Sequence, residues 1–159
     1  MIRVGLISDT HGLLRPDALV CLRGCDHIVH AGDIGRPDIL ESLAAVAPVT
    51  AVRGNNDHGP WAERLHEVES LTFGGVSIHV IHDLSQLDIE PIAAGVRAVV
   101  SGHSHKPSID ERGGVLFVNP GSAGPRRFTL PITLAKLEIV GGSVSAHVLE
   151  LAGKIALEK

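Results

Sequence analysis

Aromatic residues and long apolar runs are both scarce in this chain of 159 residues. Aromatic side chains account for 3% of the sequence and tyrosine is absent, while hydrophobic residues as a whole account for 44%. A hydrophobic core must therefore be built almost entirely from aliphatic side chains. No apolar run approaches the roughly 18 residues that a membrane-spanning helix needs, and Asp9 interrupts the N-terminal run too early for a signal peptide. We expect a cytoplasmic protein with no membrane association.

Cysteine and basic residues are also few. Cys21 and Cys25 are the only cysteines, and two thiols do not complete a tetrahedral zinc site. The formal net charge of -4 argues against a surface for duplex nucleic acid, because affinity for the phosphate backbone depends on clustered lysine and arginine. A small anionic substrate is compatible with this charge if bound cations reverse its sign locally.

The length of the chain predicts one domain, residues 1–159, of the size that buries roughly 68–70% of its unfolded surface. In the first third, apolar runs at 3–8, 26–31 and 49–53 predict strands, and helix signals at 16–22 and 37–47 lie between them. This alternation favours a parallel sheet in an α/β protein. Glycine pairs at 74–75 and 141–142 then separate apolar runs in the manner of two-residue hairpins. Residues 89–95 predict a short helix, and 97–101 predict a buried strand.

Six apolar runs end in polar residues that can bind a metal ion or a phosphate. In open α/β sheets, ligands bind beyond the carboxyl ends of the strands, so these residues are expected to converge on one crevice. Asp9 and His11 alone are typical of an ordinary polar turn, although period-2 alternation along a strand would send both to the same side. The six ends are Asp9-Thr10-His11, Gly32-Asp33, Gly54-Asn55, His82-Asp83, Gly102-His103-Ser104-His105 and Asn119-Pro120-Gly121-Ser122.

The metal-binding side chains at these ends are two aspartates, one asparagine and four histidines. They are too many for one ion but divide well between two divalent ions, which Asp33 would bridge. Mixed nitrogen and oxygen ligands suit transition metals better than magnesium, which prefers oxygen alone. We expect two manganese ions, with nickel, iron, cobalt and zinc as alternatives.

The ordered motifs D-x-H, G-D, G-N-x-D, H and G-H-x-H over residues 4–122 resemble the calcineurin-like metallophosphoesterase superfamily. The short length, Asn119-Pro120-Gly121-Ser122 and the nearby Arg126 resemble its small bacterial and archaeal phosphodiesterases. The resemblance implies an α/β fold, a four-layer α/β/β/α sandwich of two mixed β-sheets with a dinuclear metal site at the C-terminal ends of the strands. It places Asp9, His11 and His105 on the first metal, Asp33 between the metals, and Asn55, His82 and His103 on the second.

The implied reaction is metal-dependent hydrolysis of a phosphate ester, foremost a phosphodiester. A hydroxide bridging the two ions would attack phosphorus, with Asp33, Asn55 and His103 at the catalytic centre. The implied partner is a small phosphoester substrate, and a homo-oligomer is compatible with the sequence.

Two positions depart from the superfamily pattern. Asn56 stands where a histidine often follows the ligand asparagine, and an amide cannot act as a general acid, whose loss commonly costs roughly 10²- to 10⁴-fold in rate. We expect activity mainly on good leaving groups unless His58 or a metal-bound water donates the proton. Asp83 stands where the superfamily often has glycine.

Three other polar residues near the motifs are also candidates for the site. Asp57 is interpreted either as a hydrogen-bond partner that fixes a metal ligand or as a helix cap before Trp61. Arg53 and Arg126 are candidates for contact with the substrate phosphate. The remaining histidines match no motif and are left outside the site: His27, His30, His66, His79 and His147.

Two functions of other classes remain open at this stage. One branch of the superfamily serves as a protein-assembly subunit in membrane trafficking, so a catalytically weak or inactive protein-binding scaffold is the alternative. A mononuclear oxygenase built on Asp9, His11 and His105 would leave four good ligands unused. A purple iron phosphatase is excluded, because its colour comes from a tyrosinate ligand and the chain has no tyrosine.

Overall fold

Two five-stranded β-sheets pack face to face in the computed structural model, which describes residues 1–151. Among these residues lie ten strands, three α-helices and one 3-10 helix. In chain order they are β1 (Ile2–Ile7), α1 (Pro16–Leu22), β2 (His27–His30), α2 (Pro37–Ala44), β3 (Val49–Ala51), α3 (Pro60–Glu63), β4 (Val68–Phe73), β5 (Val76–Ile81), the 3-10 helix (Leu84–Gln86), β6 (Val96–Val100), β7 (Ser108–Arg112), β8 (Val115–Asn119), β9 (Thr133–Val140) and β10 (Ser143–Glu150).

Both sheets are mixed, which confirms the predicted fold class. The first has the order β10-β9-β1-β2-β3, in which β1, β2 and β3 are parallel and β9 is antiparallel to β1. The second has the order β4-β5-β6-β8-β7, in which β5, β6 and β8 are parallel. In each sheet, the three parallel strands end at the same edge. Polar residues follow the end of each of these strands.

The layers are held together by alternating aliphatic side chains. Val4 and Leu6 of β1 point into the core between the sheets, where they belong to one cluster with Ile78 of β5. On the other face of the first sheet, Leu22 of α1 and Leu43 of α2 are fully buried. Burial of one such side chain contributes about 1.5–3 kcal/mol.

The fourth layer is thin and differs from the prediction in detail. The 3-10 helix and the segment after it cover the outer face of the second sheet with Leu84, Leu87 and Ile89. The predicted helix over 89–95 is wrong, because residues 91–95 form turns. Pro91 lacks an N–H and disfavours a helical conformation in the residue before it.

Two other sequence expectations need correction. Helix α2 ends at Ala44 rather than at Ala47, and the chain closes it with a hydrogen bond from the N–H of Val46 to the carbonyl of Leu43. Strand β7 was not expected, because all five of its residues are exposed and it lacks the apolar alternation of a half-buried strand. No helix within residues 1–151 has the length and apolar character needed to cross a membrane.

Candidate metal centre

The predicted ligands lie just beyond the carboxyl ends of five parallel strands. Asp9 and His11 follow β1, and Asp33 follows β2. Asn55 follows β3, His82 follows β5, and His103 and His105 follow β6. Asp9, Asp33, His82 and His105 are buried, His11 is partly exposed, and Asn55 and His103 are exposed. In order along the chain the set is Asp9, His11, Asp33, Asn55, His82, His103 and His105.

Five of these seven residues have a left-handed backbone. Their φ angles are 55° for Asp9, 45° for His11, 57° for Asp33, 72° for His103 and 65° for His105. Among the non-glycine residues of the described chain, only one other has a positive φ. Each such residue costs about 1–2 kcal/mol, and strain of this kind is concentrated at functional sites.

This geometry corrects the expectation about the first motif. Strand β1 ends at Ile7, so Asp9 and His11 do not share a direction through strand alternation. Their left-handed turns bring both side chains into the site. The N–H groups of Asp9 and His11 donate to the carbonyls of Gly32 and Asp33, at 3.0 Å each, and so tie this turn to the one after β2.

The strain at His11 predicts a difference between two truncations at that position. We expect metal-free His11→Gly to be more stable than His11→Ala by about 0.5–1 kcal/mol, because only glycine adopts φ 45° without a steric penalty. At His58, where φ is not positive, the glycine variant should be the less stable of the two. Urea unfolding of the four variants measures both differences, and the same order at both positions would contradict the strain argument.

The first group of candidate ligands consists of Asp9, His11 and His105. The Asp9 Oδ1 atom lies 3.6 Å from His11 Nε2 and 3.4 Å from His105 Nε2. The two imidazole Nε2 atoms are 3.3 Å apart. Asp9 Oδ1 is buried without a hydrogen-bond partner among residues 1–151, as expected of an atom that faces a metal ion.

The second group consists of Asp9, Asp33 and His82. The His82 Nδ1 atom lies 2.7 Å from the carbonyl oxygen of Ala31, which can only accept, so Nδ1 carries the proton. The lone pair is then on Nε2, which is buried, has no hydrogen-bond partner in the described chain and lies 3.3 Å from Asp33 Oδ2. This arrangement of carbonyl, imidazole and open Nε2 is typical of metal-binding histidines.

Asp9 belongs to both groups, and the side chain of Asp33, a member of the second group, also lies beside His11 of the first. The Asp33 Oδ2 atom is 3.3 Å from His82 Nε2 on one side and 3.6 Å from His11 Nε2 on the other. The number of carboxylates and imidazoles in the site, and their mixture of oxygen and nitrogen atoms, therefore fit the binding of divalent transition-metal ions.

Asn55 and His103 lie beside the second group, and their side chains face each other. His103 Nδ1 is 3.2 Å from Asn55 Oδ1, and the ring of His103 packs edge-on against that of His82 at 5.2 Å between centroids. On its other side, His103 Nε2 is 3.8 Å from Asp83 Oδ2. The assignment of Asn55 and His103 as ligands stays a prediction.

The electrostatics of the site keep its carboxylates charged. Burial opposes ionisation of Asp33, but the nearby His82 imidazole and the hydrogen bonds from Asn56 outweigh it and lower the pKa of Asp33 to about 2. The pKa of Asp9 is also lowered, since the nearby imidazoles of His105 and His11 and the hydrogen bond from Ser8 outweigh burial. The Asp9 carboxylate in turn raises the pKa of His11. A metal ion would therefore compete with protons on the imidazoles rather than on the carboxylates.

Comparison with known proteins decides the family. A sequence profile of the calcineurin-like phosphoesterase superfamily domain matches residues 2–142. The chain belongs to that superfamily. It is 34% identical to a probable metallophosphoesterase of Methanothermobacter thermautotrophicus over 96% of this chain and 94% of that protein. Membership supports metal-dependent hydrolysis of phosphate esters as the chemistry of the site.

Solved structures of low sequence identity share the phosphoesterase fold. Vps29 of Chaetomium thermophilum superposes with a TM-score of 0.81 at 20% identity, over 94% of this chain and 89% of that one. A structure described as a novel archaeal phosphodiesterase superposes with a TM-score of 0.76 at 23% identity, over 93% of this chain and all of that one. The two-sheet architecture is thus the one that the superfamily uses.

Asp57 of this phosphoesterase fixes a predicted ligand through hydrogen bonds, as one of its two interpretations proposed, but it holds the backbone around Asp33 rather than an imidazole. Its buried carboxylate accepts four backbone N–H groups: those of Ile34 at 2.9 Å and Gly35 at 3.0 Å on Oδ1, and those of Asp33 at 3.0 Å and Gly54 at 2.9 Å on Oδ2. It does not cap the following helix, whose N-cap is Gly59. Asp57 therefore fixes the backbone on both sides of the Asp33 turn.

The other predicted neighbours of the site are placed as follows. Asn56 donates to Asp33 Oδ1 from its N–H at 2.8 Å and to Asp33 Oδ2 from its amide at 3.0 Å, so it orients that carboxylate. His58 is exposed and lines a cavity beside His82. The exposed side chain of Arg126 donates to the carbonyl of Leu130 at 3.4 Å, and no described contact joins it to the predicted ligands.

Several residues that hold the ligands were missed in the sequence. The Ser8 hydroxyl donates to Asp9 Oδ2 at 2.6 Å, and the Ser122 hydroxyl donates to the carbonyl of Asp9 at 3.0 Å. The Asn119 amide donates to the carbonyl of Gly102 at 2.9 Å, which supports the turn that carries His103. The only signal in the sequence was a polar residue at the end of a strand. Such a residue was interpreted as a metal ligand rather than as a residue that holds a ligand in place.

His30 has a supporting role and was correctly left outside the ligand set. It is fully buried, and burial lowers its pKa to about 4. Its Nδ1 accepts the N–H of Gly32 at 3.1 Å, so the protonated Nε2 donates to the hydroxyl of Thr10 at 3.0 Å. That hydroxyl donates to the carbonyl of Ile34 at 2.8 Å. Neutral His30 thus connects the turns that carry Asp9 and Asp33.

Glycines allow two strand ends to approach the carboxylates. A Cβ atom on Gly54 would collide with the N–H and Oδ1 of Asp33, and one on Gly102 would collide with the Ser8 hydroxyl and with Asp9 Oδ2 at 2.6 Å. Both collisions involve atoms that are already fixed by hydrogen bonds. The glycines before Asn55 and His103 are therefore required by close packing.

Proposed function

We propose that this superfamily member is a phosphodiesterase that works with two divalent metal ions, manganese foremost. The observation that carries the proposal is the position of Asp33, whose Oδ2 atom lies within 3.6 Å of His11 Nε2 and within 3.3 Å of His82 Nε2. A carboxylate between two sets of ligand atoms is suited to bridging two ions. The proposal includes a small phosphoester as substrate and a location in the cytoplasm.

The residues divide between the two ions as follows. Asp9, His11 and His105 would hold the first, Asn55, His82 and His103 the second, and Asp33 would contact both. When bound, two such ions polarise a phosphoryl oxygen and generate a hydroxide nucleophile near neutral pH. Of the seven, Asp33, Asn55 and His103 are the proposed catalytic residues: Asn55 and His103 line the cavity, and Asp33 Oδ2 lies within 3.6 Å of both His11 Nε2 and His82 Nε2.

The chain itself supplies orientation and charge for this reaction. Asn56 holds both oxygens of Asp33, and the lowered pKa of Asp33 keeps that carboxylate ionised. Because Asn56 is committed to these bonds and cannot donate a catalytic proton, the leaving group must depart with little acid assistance. His58 on the wall of the adjacent cavity is the candidate proton donor for poorer leaving groups.

The metal requirement is directly testable. Metal-free protein should hydrolyse bis(4-nitrophenyl) phosphate only after Mn²⁺, Ni²⁺ or Zn²⁺ is restored, because the proposed nucleophile depends on the ions. Metal analysis should give two atoms per chain, and the measurement is 4-nitrophenolate release before and after restoration. Turnover in the continued presence of a chelator, or its absence with all three metals, would overturn the proposal.

A protein-binding scaffold is the second candidate, favoured by the TM-score of 0.81 with Vps29. That likeness concerns the fold, whereas the buried Asp9 Oδ1 and His82 Nε2 atoms lack partners among residues 1–151 and favour metal binding. The two candidates differ in the expected metal content. A scaffold should retain few ions or none and show no metal-dependent turnover.

A further inference from the structure

A cavity of about 600 Å³ opens beside the second group of candidate ligands. Asn55, His82 and His103 form one part of its wall. The Nε2 atom of His82 is buried and unpartnered in the described chain, so the cavity begins at an atom that is available to a ligand. A phosphodiester bound between the two groups would extend one of its two alcohol substituents into this space.

Acidic side chains also line the cavity. Three carboxylates other than that of Asp57 line it, from Glu67, Asp83 and Asp88. Asp83 is held by Ser85, whose N–H and hydroxyl donate to Oδ1 at 3.0 and 2.8 Å.

The arginine in the cavity wall, Arg53, is already paired with a carboxylate. Among the described residues that line the cavity, Arg53 is the only arginine or lysine. Its Nη2 atom lies 3.4 Å from Glu67 Oε2, and its Nη1 atom donates to the carbonyl of Leu65 at 3.3 Å. Glu67 is thereby paired, and Asp83 Oδ2 lies 3.8 Å from Nε2 of the proposed metal ligand His103. Asp88 has no lysine or arginine of the described wall left to pair with. A second phosphate or a carboxylate on the substrate would be repelled there.

The rest of the wall adds apolar surface and further polar groups. Val68 and Ile81 line the cavity together with the amide of Gln86. Apolar surface beside carboxylates suits a group that carries methylenes or methyls around a positive charge. An ammonium group has this chemistry.

We propose that this cavity binds an ammonium-bearing alcohol substituent of the phosphodiester, with Asp83 and Asp88 as its specificity residues. The inference rests on the proposed function and adds the class of substrate to it. The ammonium group lies near the carboxylates of Asp83 and Asp88 while the phosphodiester lies at the predicted ligands. Specificity then comes from charge complementarity at part-exposed sites, so its size is modest and depends on salt.

The test compares two substrates with the same leaving group. On manganese-loaded protein, 4-nitrophenyl phosphorylcholine should have a kcat/KM about fivefold above that of methyl 4-nitrophenyl phosphate, the size of a part-exposed ion pair. Asp83→Asn and Asp88→Asn should each reduce this ratio at least about twofold, and 0.5 M salt should reduce it as well. Because the ratio is taken on one protein at a time, a shared loss of metal or activity cancels.

A binding measurement that needs no turnover accompanies the assay. Calorimetry should give the tightest binding for phosphocholine, weaker binding for ethyl phosphate and the weakest for phosphoglycolate, which carries an additional carboxylate. Asp38→Asn is the matched control, because Asp38 is an exposed carboxylate of α2 outside the cavity, and it should leave the ratio and this order unchanged.

The outcomes separate the two proposals. Equal kcat/KM for the two esters, or preferred binding of phosphoglycolate, would overturn the ammonium site while leaving the phosphodiesterase in place. A preference that survives both Asp83→Asn and Asp88→Asn would also overturn it. Absence of turnover for both esters with every metal would overturn the proposed function instead.

Discussion

Asp33→Asn is expected to lower the metal-dependent kcat/KM for an aryl phosphodiester by about 10³-fold or more. The oxygen that lies between His11 and His82 would lose its charge, and with it the means to hold two cations close together. Several kcal/mol of transition-state stabilisation are commonly supplied by such ions, and each 1.36 kcal/mol is a factor of ten in rate. Metal content should fall below two atoms per chain.

The amide of this variant also disturbs the hydrogen bonds that hold Asp33. Asn56 donates to both carboxylate oxygens, so one amide N–H₂ would face a donor. Urea unfolding of the metal-free variant separates this effect on stability from the effect on metal binding. The exposed Asp38→Asn variant is the control for loss of one negative charge. Retention of two metal atoms and of near-normal turnover in Asp33→Asn would show that the bridge is misassigned.

The positions of the strand ends were predictable from local sequence. Val4 to Ile7 is apolar and Ser8-Asp9 is not, so the end of β1 can be recognised without knowledge of its neighbours. The same holds for β2 before Asp33 and for β6 before His103. Parallel strands bring their carboxyl ends to one edge of a sheet. The order of the motifs along the chain then indicated which residues are the candidate ligands.

The support of the site was not predictable, because it depends on contacts between distant segments. The partners of Asp57 include Asp33, Ile34 and Gly35, which lie 22 to 24 residues away in sequence. The sequence offered Asp57 both as a hydrogen-bond partner of a metal ligand and as a helix cap, and no pattern around it marks these backbone N–H groups as its partners. The left-handed turns at Asp9 and His11 were hidden for a related reason, since tertiary hydrogen bonds impose a conformation that aspartate and histidine seldom adopt.

The orientation of Asn55 and His103 shows where the motif and the structure give different information. The motif assigns both to the second metal, and the chain places both beside His82. The side chains of Asn55 and His103 face each other, and His103 also lies beside Asp83. The sequence motif therefore predicted which residues lie near one another, but not which atoms are in contact.

The largest expected effect on folding is that of Asp57→Asn. The carboxylate is 4% exposed and accepts two N–H groups on each oxygen. An asparagine side chain keeps one acceptor, so whichever way the amide turns, its N–H₂ opposes two buried backbone donors. Hydrogen bonds to a charged group contribute about 1.5–3 kcal/mol each, and buried donors left unsatisfied are costly. We expect the free energy of unfolding to fall by about 3–5 kcal/mol.

Asp26→Asn is the matched control for this variant, because the Asp26 carboxylate also accepts a backbone N–H, that of Arg3 at 2.8 Å, but in an exposed position. It should cost less than about 1 kcal/mol, since water can satisfy the groups that it releases. Urea unfolding with a chelator present removes any stabilisation by bound ions. A loss in Asp57→Asn no greater than that in Asp26→Asn would mean that the Asp33 turn keeps its shape without this carboxylate. A loss of the expected size would show that Asp57 stabilises the turn carrying Asp33, the proposed bridging ligand, before any metal binds.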